Sequence, residues 1–232
     1  AEAISDIVGP NRTIACVAEL SSELFTPGEI KRNTPPEGTW FGIGALTPEM
    51  EVRLSEVEDV MKHVGNVSVS NNILSAKWMK LIVNAMSMGL KGIADMNSAD
   101  AFKVDGMRDV MLKAGEEALK VGEGLGYKLE PIMGLSKEDI EGSNRVQELL
   151  LDTITKHVGP GALNTVLQDH RKGRYSEIDQ INGWVSEGGK KLGIETPIND
   201  MIVNITRKIH NGDANPSKEL VEEGIRSIRD KL

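Results

Sequence analysis

A lysine in the middle of an apolar helix is the first feature of this sequence with chemistry in it. The run Trp78-Met79-Lys80-Leu81-Ile82-Val83-Asn84-Ala85-Met86-Ser87-Met88-Gly89-Leu90 is apolar nearly all round, and its polar residues are Lys80, Asn84 and Ser87. Steps of four and then three residues line these three up along one side of a helix. An amine in such surroundings must pair, reach out to water or give up its proton more readily. Poised that way, Lys80 can donate a proton to an alkoxide as it forms, and Asn84, one turn on, can hold a substrate oxygen. A structural account also covers these residues: Lys80 extends its amine to solvent and Asn84 satisfies a neighbouring backbone group.

The second constellation is Arg174-Tyr175-Ser176-Glu177-Ile178-Asp179-Gln180-Ile181-Asn182-Gly183. Ser176 and Asp179 have the spacing of a capping box, and Glu177 then falls in a first helical turn, where the helix dipole favours negative charge. Stabilising a helix start accounts for both carboxylates. The functional alternative for Glu177 is a carboxylate at the mouth of a cleft, accepting hydrogen bonds from a lysine or a sugar hydroxyl.

The pattern of the chain predicts the elements that carry these groups. Before residue 72 the runs are strand-like, at Thr13–Leu20, Thr39–Leu46 and Asn66–Ser70, with Pro27-Gly28 as a turn between the first run and a short segment around Ile30. Thr47-Pro48 predicts a helix start, as N-cap and first helical residue, with the helix running to His63 and stopping at Gly65. After Asn72 the predicted elements are helices: Ser75–Met96, Gly106–Gly124, Ser136–His157 with Ser136 as cap, Ser176–Leu192, Thr196–Ile209, and a last one opened by Pro216-Ser217. Met107, Val110, Met111, Ala114 and Ala118 form the apolar stripe of the second. The expectation is a small α/β piece over residues 1–71 and an all-α domain over 72–232.

Composition narrows the function. The 232 residues carry a formal net charge of −8, which argues against a nucleic-acid coat, since phosphate binding needs a basic surface. The apolar run 78–90 falls short of the ~20 residues of a membrane span, and the start of the chain has no secretory pattern. Neither nucleic acid nor membrane is an expected partner. The single cysteine, Cys16, excludes an internal disulfide, fits a reducing cytoplasm and reads as a strand core residue. His63, His157, His170 and His210 make no H-E-x-x-H or paired-ligand spacing, so no metal site is expected. The charged run Lys218–Lys231 reads as a solvated helix face.

Taken together, the two constellations resemble the ketopantoate reductase (2-dehydropantoate 2-reductase) family. Its pattern is a W-x-K-L-x-x-N helix followed at a distance by a T/S-E-I-D-x-I-N-G helix start, here Trp78 to Asn84 and Ser176 to Gly183. Val8-Gly9-Pro10-Asn11-Arg12, Pro27-Gly28-Glu29-Ile30 and Phe41-Gly42-Ile43-Gly44 are similar to the end of that family's nucleotide domain. The resemblance implies the remnant of a Rossmann nucleotide domain followed by a helical domain of the 6-phosphogluconate dehydrogenase-like type. It implies an oxidoreductase that reduces a 2-keto acid, ketopantoate or a relative, with NADPH. In that family the product is pantoate, for pantothenate and coenzyme A synthesis. The hydride chemistry is the cofactor's; the protein orients the reactants and supplies the proton.

Position by position, the resemblance makes Lys80 the general acid and Asn84 the substrate-binding amide, with Ser87 beside it. Thr165 falls where the family carries a substrate-binding serine, and Glu177 becomes the carboxylate that organises lysine, cofactor and substrate. The helical half of such reductases contributes dimer contacts, so a homodimer is among the expected assemblies.

Three departures stand out. The family has a second asparagine four residues after Asn84, whereas this chain has Met88, whose thioether cannot donate as an amide does. Glu19 ends a predicted strand where small hydroxyl residues are usual; it either points to solvent or faces the cleft, where it would repel a carboxylate. No G-x-G-x-x-G follows a strand, and Gly122-Glu123-Gly124-Leu125-Gly126 sits at a helix end. A complete dinucleotide fold needs roughly 100 further residues on the N-terminal side. The sequence is therefore read as a fragment of a longer enzyme, or as a product that has lost its cofactor half. No tight NADPH binding is expected of the chain by itself. The competing expectation, from a different class, is a non-catalytic helical module that binds a partner or dimerises through its apolar helices.

Overall fold

A computed structural model of the chain describes residues 1–157 and 161–228. The elements run α1 (Glu2–Val8), β1 (Ile14–Glu19), β2 (Ser22–Thr26), β3 (Glu29–Arg32), β4 (Trp40–Ala45), α2 (Pro48–Glu51), α3 (Leu54–Met61) and β5 (Asn66–Val69). Helices follow: α4 (Ile73–Ala94), α5 (Ser98–Ala101), α6 (Met107–Gly124), α7 (Lys137–Glu141), α8 (Val146–His157), α9 (Thr165–Arg171), α10 (Asn182–Leu192), α11 (Pro197–His210) and α12 (Lys218–Ser227).

β1, β4 and β5 form a sheet in the order β1-β4-β5. β1 runs antiparallel to β4, with Ile14 opposite Ala45 and Glu19 opposite Trp40, and β5 runs parallel to β4. On β1 the inward positions are Ala15, Val17 and Glu19, the two-residue period of a half-buried strand. The inward face of β1 thus ends in a carboxylate. β2 and β3 make a separate hairpin around Pro27-Gly28, with Gly28 at φ 86. That turn joins β2 to β3, not the first strand to the segment around Ile30.

α4 is the axis of the molecule. Asn72 accepts the backbone N–H of Ser75 at its start, and Asp95 ends it in the left-handed region at φ 52. α6, α8, α9, α11 and α12 pack around it, and β1 lies across it. Its apolar residues Met79, Ile82, Met86, Leu90 and Ile93 are buried at the centre of the hydrophobic core, as an all-round apolar pattern demands. The methionine stripe of α6 also faces that core, with Met107, Val110, Met111, Ala114 and Ala118 buried.

The packing around α4 is locked by a buried polar network. Asn182, fully buried, donates to the carbonyl of Ala85 at 3.0 Å and to Asn199 Oδ1 at 2.8 Å. Asn199 donates to the carbonyl of Ala114 at 3.1 Å and to Glu117 at 2.7 Å. Glu117 also accepts the backbone N–H groups of Ile198 and Asn199 at the start of α11, while burial pushes its carboxyl up.

Three predicted helices are each broken in two. The one expected over 47–63 splits at Val52-Arg53, where the N–H of Arg53 turns back three residues to the carbonyl of Met50. Thr47 holds the cap position, but its hydroxyl donates to Asn11 instead of capping the helix. The helix expected over 136–157 ends at Glu141 and restarts at Val146, because Ser143 Oγ takes the N–H of Arg145 in a local turn. Its start is as expected, since Ser136 and Asp139 form a complete capping box. The helix expected over 176–192 is a 3-10 turn at Glu177–Gln180, then a break at Ile181 (φ −107, ψ −92), then α10. The final charged run is α12 as far as Ser227, and its last residues lie outside the described part.

Candidate functional site

The side chains singled out from the sequence meet at one cavity of about 280 Å³, although they come from segments some eighty residues apart. Lys80, Asn84 and Ser87 line it from α4, Thr165 from the first turn of α9 and Glu177 from the 3-10 turn. Met88 also lines it, so the thioether occupies the cavity wall. A neighbouring cavity, also of about 280 Å³, shares Ala18, Lys80 and Asn84 and is walled by Trp78, Leu81, Tyr127 and Trp184. Lys80 and Asn84 therefore stand on the partition between a polar compartment and an aromatic one.

Two glycines on α4 bring the remote residues in. A Cβ at Gly89 would collide with Ile202 and stand 3.0 Å from Ile178, the residue after Glu177. A Cβ at Gly92 would run into Val166, the residue after Thr165, and stand 3.4 Å from His170. The bare helix surface at these positions lets both segments close onto α4. His170 fastens α9 there through a 3.0 Å contact between Nδ1 and the carbonyl of Gly92.

The 176–183 segment is held differently from its sequence pattern. The predicted Ser176–Asp179 capping box does not form. The backbone N–H of Ser176 donates to His210 Nε2 at 3.0 Å, and Asp179 pairs with Arg207 at 2.7 Å. Ile178 and Asn182 point into the core, and Glu177, just before Ile178, is left exposed to the cavity. A single turn thus separates anchoring residues from one presented carboxylate. Thr165 Oγ1 donates to Glu177 Oε1 at 2.9 Å, which ties the two remote segments together.

The partner of the lysine is the main correction. Lys80 does not pair with Glu177 in this structure; its amine forms an ion pair and hydrogen bond with Glu19. Glu19 neither points to solvent nor stands as a lone negative charge, because it is buried at the inward end of β1 and neutralised there. Their side chains are 18% and 8% exposed, so the pair is poorly screened and strongly directional. The alternation Ala15, Val17, Glu19 was the signal that Glu19 faces inward. Its match with Lys80, across 61 positions, had none.

Asn84 lines both cavities, and none of the hydrogen bonds among the described residues engages its amide. Ser87 is buried and turns its hydroxyl back to the carbonyl of Val83 at 3.4 Å. Lys91, which sequence reasoning passed over, also lines the cavity. The interval of four from Ser87 continues the stripe of Lys80, Asn84 and Ser87, and that periodicity could have found it. Cys16 borders the aromatic compartment, and burial pushes its thiol up, away from the reactive thiolate.

Residues 72–210 match the family model for the C-terminal domain of PanE/ApbA ketopantoate reductases, which is more than half of the chain. The chain belongs to the ketopantoate reductase family. A 2-dehydropantoate 2-reductase of Mesorhizobium japonicum is 27% identical over 208 residues, covering 89% of this chain and 58% of the relative. One from Pyrococcus horikoshii is 25% identical over 152 residues, covering 64% of this chain and 45% of the relative. The chain thus spans about half the length of these curated relatives. Among solved structures, the fold is similar to a D-mandelate dehydrogenase bound to NADH and anilino(oxo)acetate, with TM-score 0.76 and 22% identity over 91% of this chain and 64% of that one. It is also similar to a PanE/ApbA family ketopantoate reductase from Ralstonia eutropha, with TM-score 0.67 and 24% identity over 86% of this chain and 59% of that one. As in those ketopantoate reductases, the C-terminal part of the chain is helical.

Proposed function

We propose that this chain is the substrate-binding half of a 2-keto acid reductase that works with NADPH, its substrate being ketopantoate or a relative. In this reading residues 1–71 are the C-terminal part of a Rossmann dinucleotide-binding domain. Residues 72–232 are the helical substrate and dimerisation domain. One observation carries the proposal: an ammonium, an amide, a threonine hydroxyl and a carboxylate from α4, α9 and the 177–180 turn surround one cavity. The NADH in the D-mandelate dehydrogenase structure supports a nicotinamide cofactor, and a ketopantoate reductase from Staphylococcus aureus described as dimeric supports a homodimer. No described helix is long and apolar enough to cross a membrane, and a cytoplasmic site of action belongs to the proposal.

The dinucleotide's phosphates find no anchor in these residues. β1 leads into β2 through Leu20-Ser21, β4 into α2 through Leu46-Thr47, and β5 into α4 through Ser70-Asn71-Asn72. None of these is the glycine-rich strand-to-helix turn that cradles a pyrophosphate. The mechanism assigned to this chain is accordingly that of its own side chains. Glu19 pairs with the Lys80 amine and fixes the direction of its Nζ. The Asn84 amide and the Lys80 N–H both reach toward the keto oxygen, where negative charge collects as the carbonyl is reduced. A bound reduced nicotinamide would supply the hydride to the carbonyl carbon, and the Lys80 proton passes to that oxygen, completing the 2-hydroxy acid. The neutral amine left beside Glu19 then recovers a proton from solvent. Glu177, with one oxygen on Thr165, keeps the other for substrate or cofactor hydroxyls.

The test is Lys80→Ala in the full-length reductase, with a panel of 2-keto acids and both nicotinamide cofactors. Turnover should fall by roughly 10²–10⁴; a near-normal rate removes Lys80 as the acid. A fluorescence titration of the 232-residue chain with NADPH should show no tight binding. Micromolar affinity would contradict the missing anchor.

A further inference from the structure

Among the described residues, Lys91 is a buried cation with no carboxylate paired to it. Only 8% of it is exposed, and its Nζ donates to Ser98 Oγ, on α5, at 3.0 Å. Among the described residues no carboxylate lies within ion-pair distance of it, whereas Glu19 is taken by Lys80 and Glu177 is bonded to Thr165. Burial pushes its amine down to about 8; the positive charge of Lys80 adds to this and Glu19 opposes it. An ammonium taken out of water needs a partner, and the space in front of this one is the substrate cavity.

We propose that Lys91, with the hydroxyl of Ser98, is the seat for a carboxylate of the substrate. Lys91 Nζ and Ser98 Oγ bind the carboxylate oxygens, while the keto oxygen is held by Lys80 and Asn84 on the same stripe of α4. The wall between these two ends is Ser87 and Met88. The reaction's charges are thereby divided: Lys80, neutralised by Glu19, is kept for the proton, and Lys91 supplies the positive charge that selects an acid over an uncharged ketone. The proposal rests on the reductase reading for the identity of the ligand, while the seat itself can be tested by binding alone.

The experiment is calorimetric titration of oxamate, an unreactive carboxylate shaped like a 2-keto acid, into the full-length reductase from pH 6.5 to 9.5. The titratable groups facing Lys91 are Lys80 on its own helix, Glu19 on β1 and Glu177 across the cavity; Ser98 and Gln168, from α5 and α9, are neutral there. Wild-type affinity should fall about tenfold per pH unit above about 8, as Lys91 loses its proton. Lys91→Met should bind about tenfold or more weakly at pH 7 and show no such fall, and Ser98→Ala should lose about two- to threefold. The kinetic arm compares a 2-keto monoacid, its primary amide and a 2-keto diacid. In Lys91→Met, KM should rise for the acids and stay within twofold for the amide. A rise confined to the diacid makes the seated carboxylate the distal one; a rise for both acids makes it the one beside the carbonyl. The proposal is overturned by wild-type oxamate binding that is flat through pH 8, or by Lys91→Met binding it as wild type does. A fall in kcat with KM unchanged for acid and amide alike also overturns it, because Lys91 would then act on the chemical step. If no 2-keto acid is reduced at all, the reductase reading falls, while oxamate binding that depends on Lys91 leaves the seat standing.

Discussion

The strands and the central helix of this chain solve opposite problems. The region before residue 70 leaves Ile7, Phe25, Ile30, Val52 and Val60 exposed, and its hairpin β2–β3 has a single buried residue, Glu23. α4 buries most of its length and still carries two lysines and an asparagine to a cavity. Burial makes those polar groups expensive, so each needs a partner or a ligand, and expense is what gives a charged group leverage over chemistry. The strand region contributes one charged side chain to that cavity, Glu19, and places it by strand alternation. The lesson is that the scaffold around α4 is intolerant of change, the exposed faces of the strand region are tolerant, and Glu19 is the exception that ties them.

Removing that tie should have the largest effect. Glu19→Ala leaves Lys80 as an unpaired cation with an 18%-exposed side chain. Breaking a buried pair from one side costs about 3–5 kcal/mol, and denaturant titration should show a loss in that range. A loss below 1 kcal/mol would mean that the two regions are not coupled through this pair. Asn182→Ala comes next. It strips Asn199 Oδ1 of its donor and takes from the carbonyl of Ala85 the bond it makes besides its helical one. A shift of about 2–3 kcal/mol in the same measurement is expected for groups left unpaired in the core. Ser136→Ala removes one half of the capping box of α7 and should cost about 1 kcal/mol.

Acidification probes the attachment of the 176–183 turn. Burial holds both His170 and His210 below the ordinary histidine value, with His170 adding to the effect on His210. Their folded forms prefer to stay neutral, so the unfolded chain takes up protons first as the pH drops. Stability that is complete above about 6.5 is therefore lost below it, down through the depressed folded values. Protonation of His210 Nε2 also removes the acceptor for the N–H of Ser176. Denaturant midpoints at pH 7.5 and 5.5 should differ in that direction, and His210→Gln should reduce the difference. The smallest effect is expected on the tolerant side: Phe25→Ser, at a half-exposed position, should change stability by no more than about 0.5 kcal/mol. A larger loss would mean that the strand region is more tightly built than its exposed side chains imply.

Legibility followed periodicity. β1, β4, α4 and α6 were readable because alternation or a helical stripe is written into consecutive residues. Lys80, Asn84, Ser87, Thr165 and Glu177 were readable as candidates, and the structure brings all of them to one cavity. The helix breaks at 52–53 and at Ile181 were not readable, because local hydrogen bonds there outweigh a propensity that gives no warning. The break at 142–145 was written in Gly142-Ser143-Asn144, three residues that favour turns over helix, and was passed over. α9 was missed because seven residues carry too few turns to show a stripe, although Asn164 caps it by accepting the N–H of Leu167. Lys91 was missed because the reading of the stripe stopped one turn early.

The sequence alone determined an apolar helix with an amine and an amide on one line, a distant helix-start segment carrying Glu177, the lack of a phosphate-binding turn in these residues, and an acidic composition. The first two follow from residue type and spacing within a short window, the last two from the residues taken as a whole. Only the tertiary structure decided that Lys80 is partnered by Glu19 and not by Glu177, and that Glu177 is tied to Thr165. Among the described residues, it alone left Lys91 without a carboxylate of its own. Which charges neutralise one another depends on distances across the packed molecule, to which sequence separation is blind. In a medium of low polarity those distances set the energies.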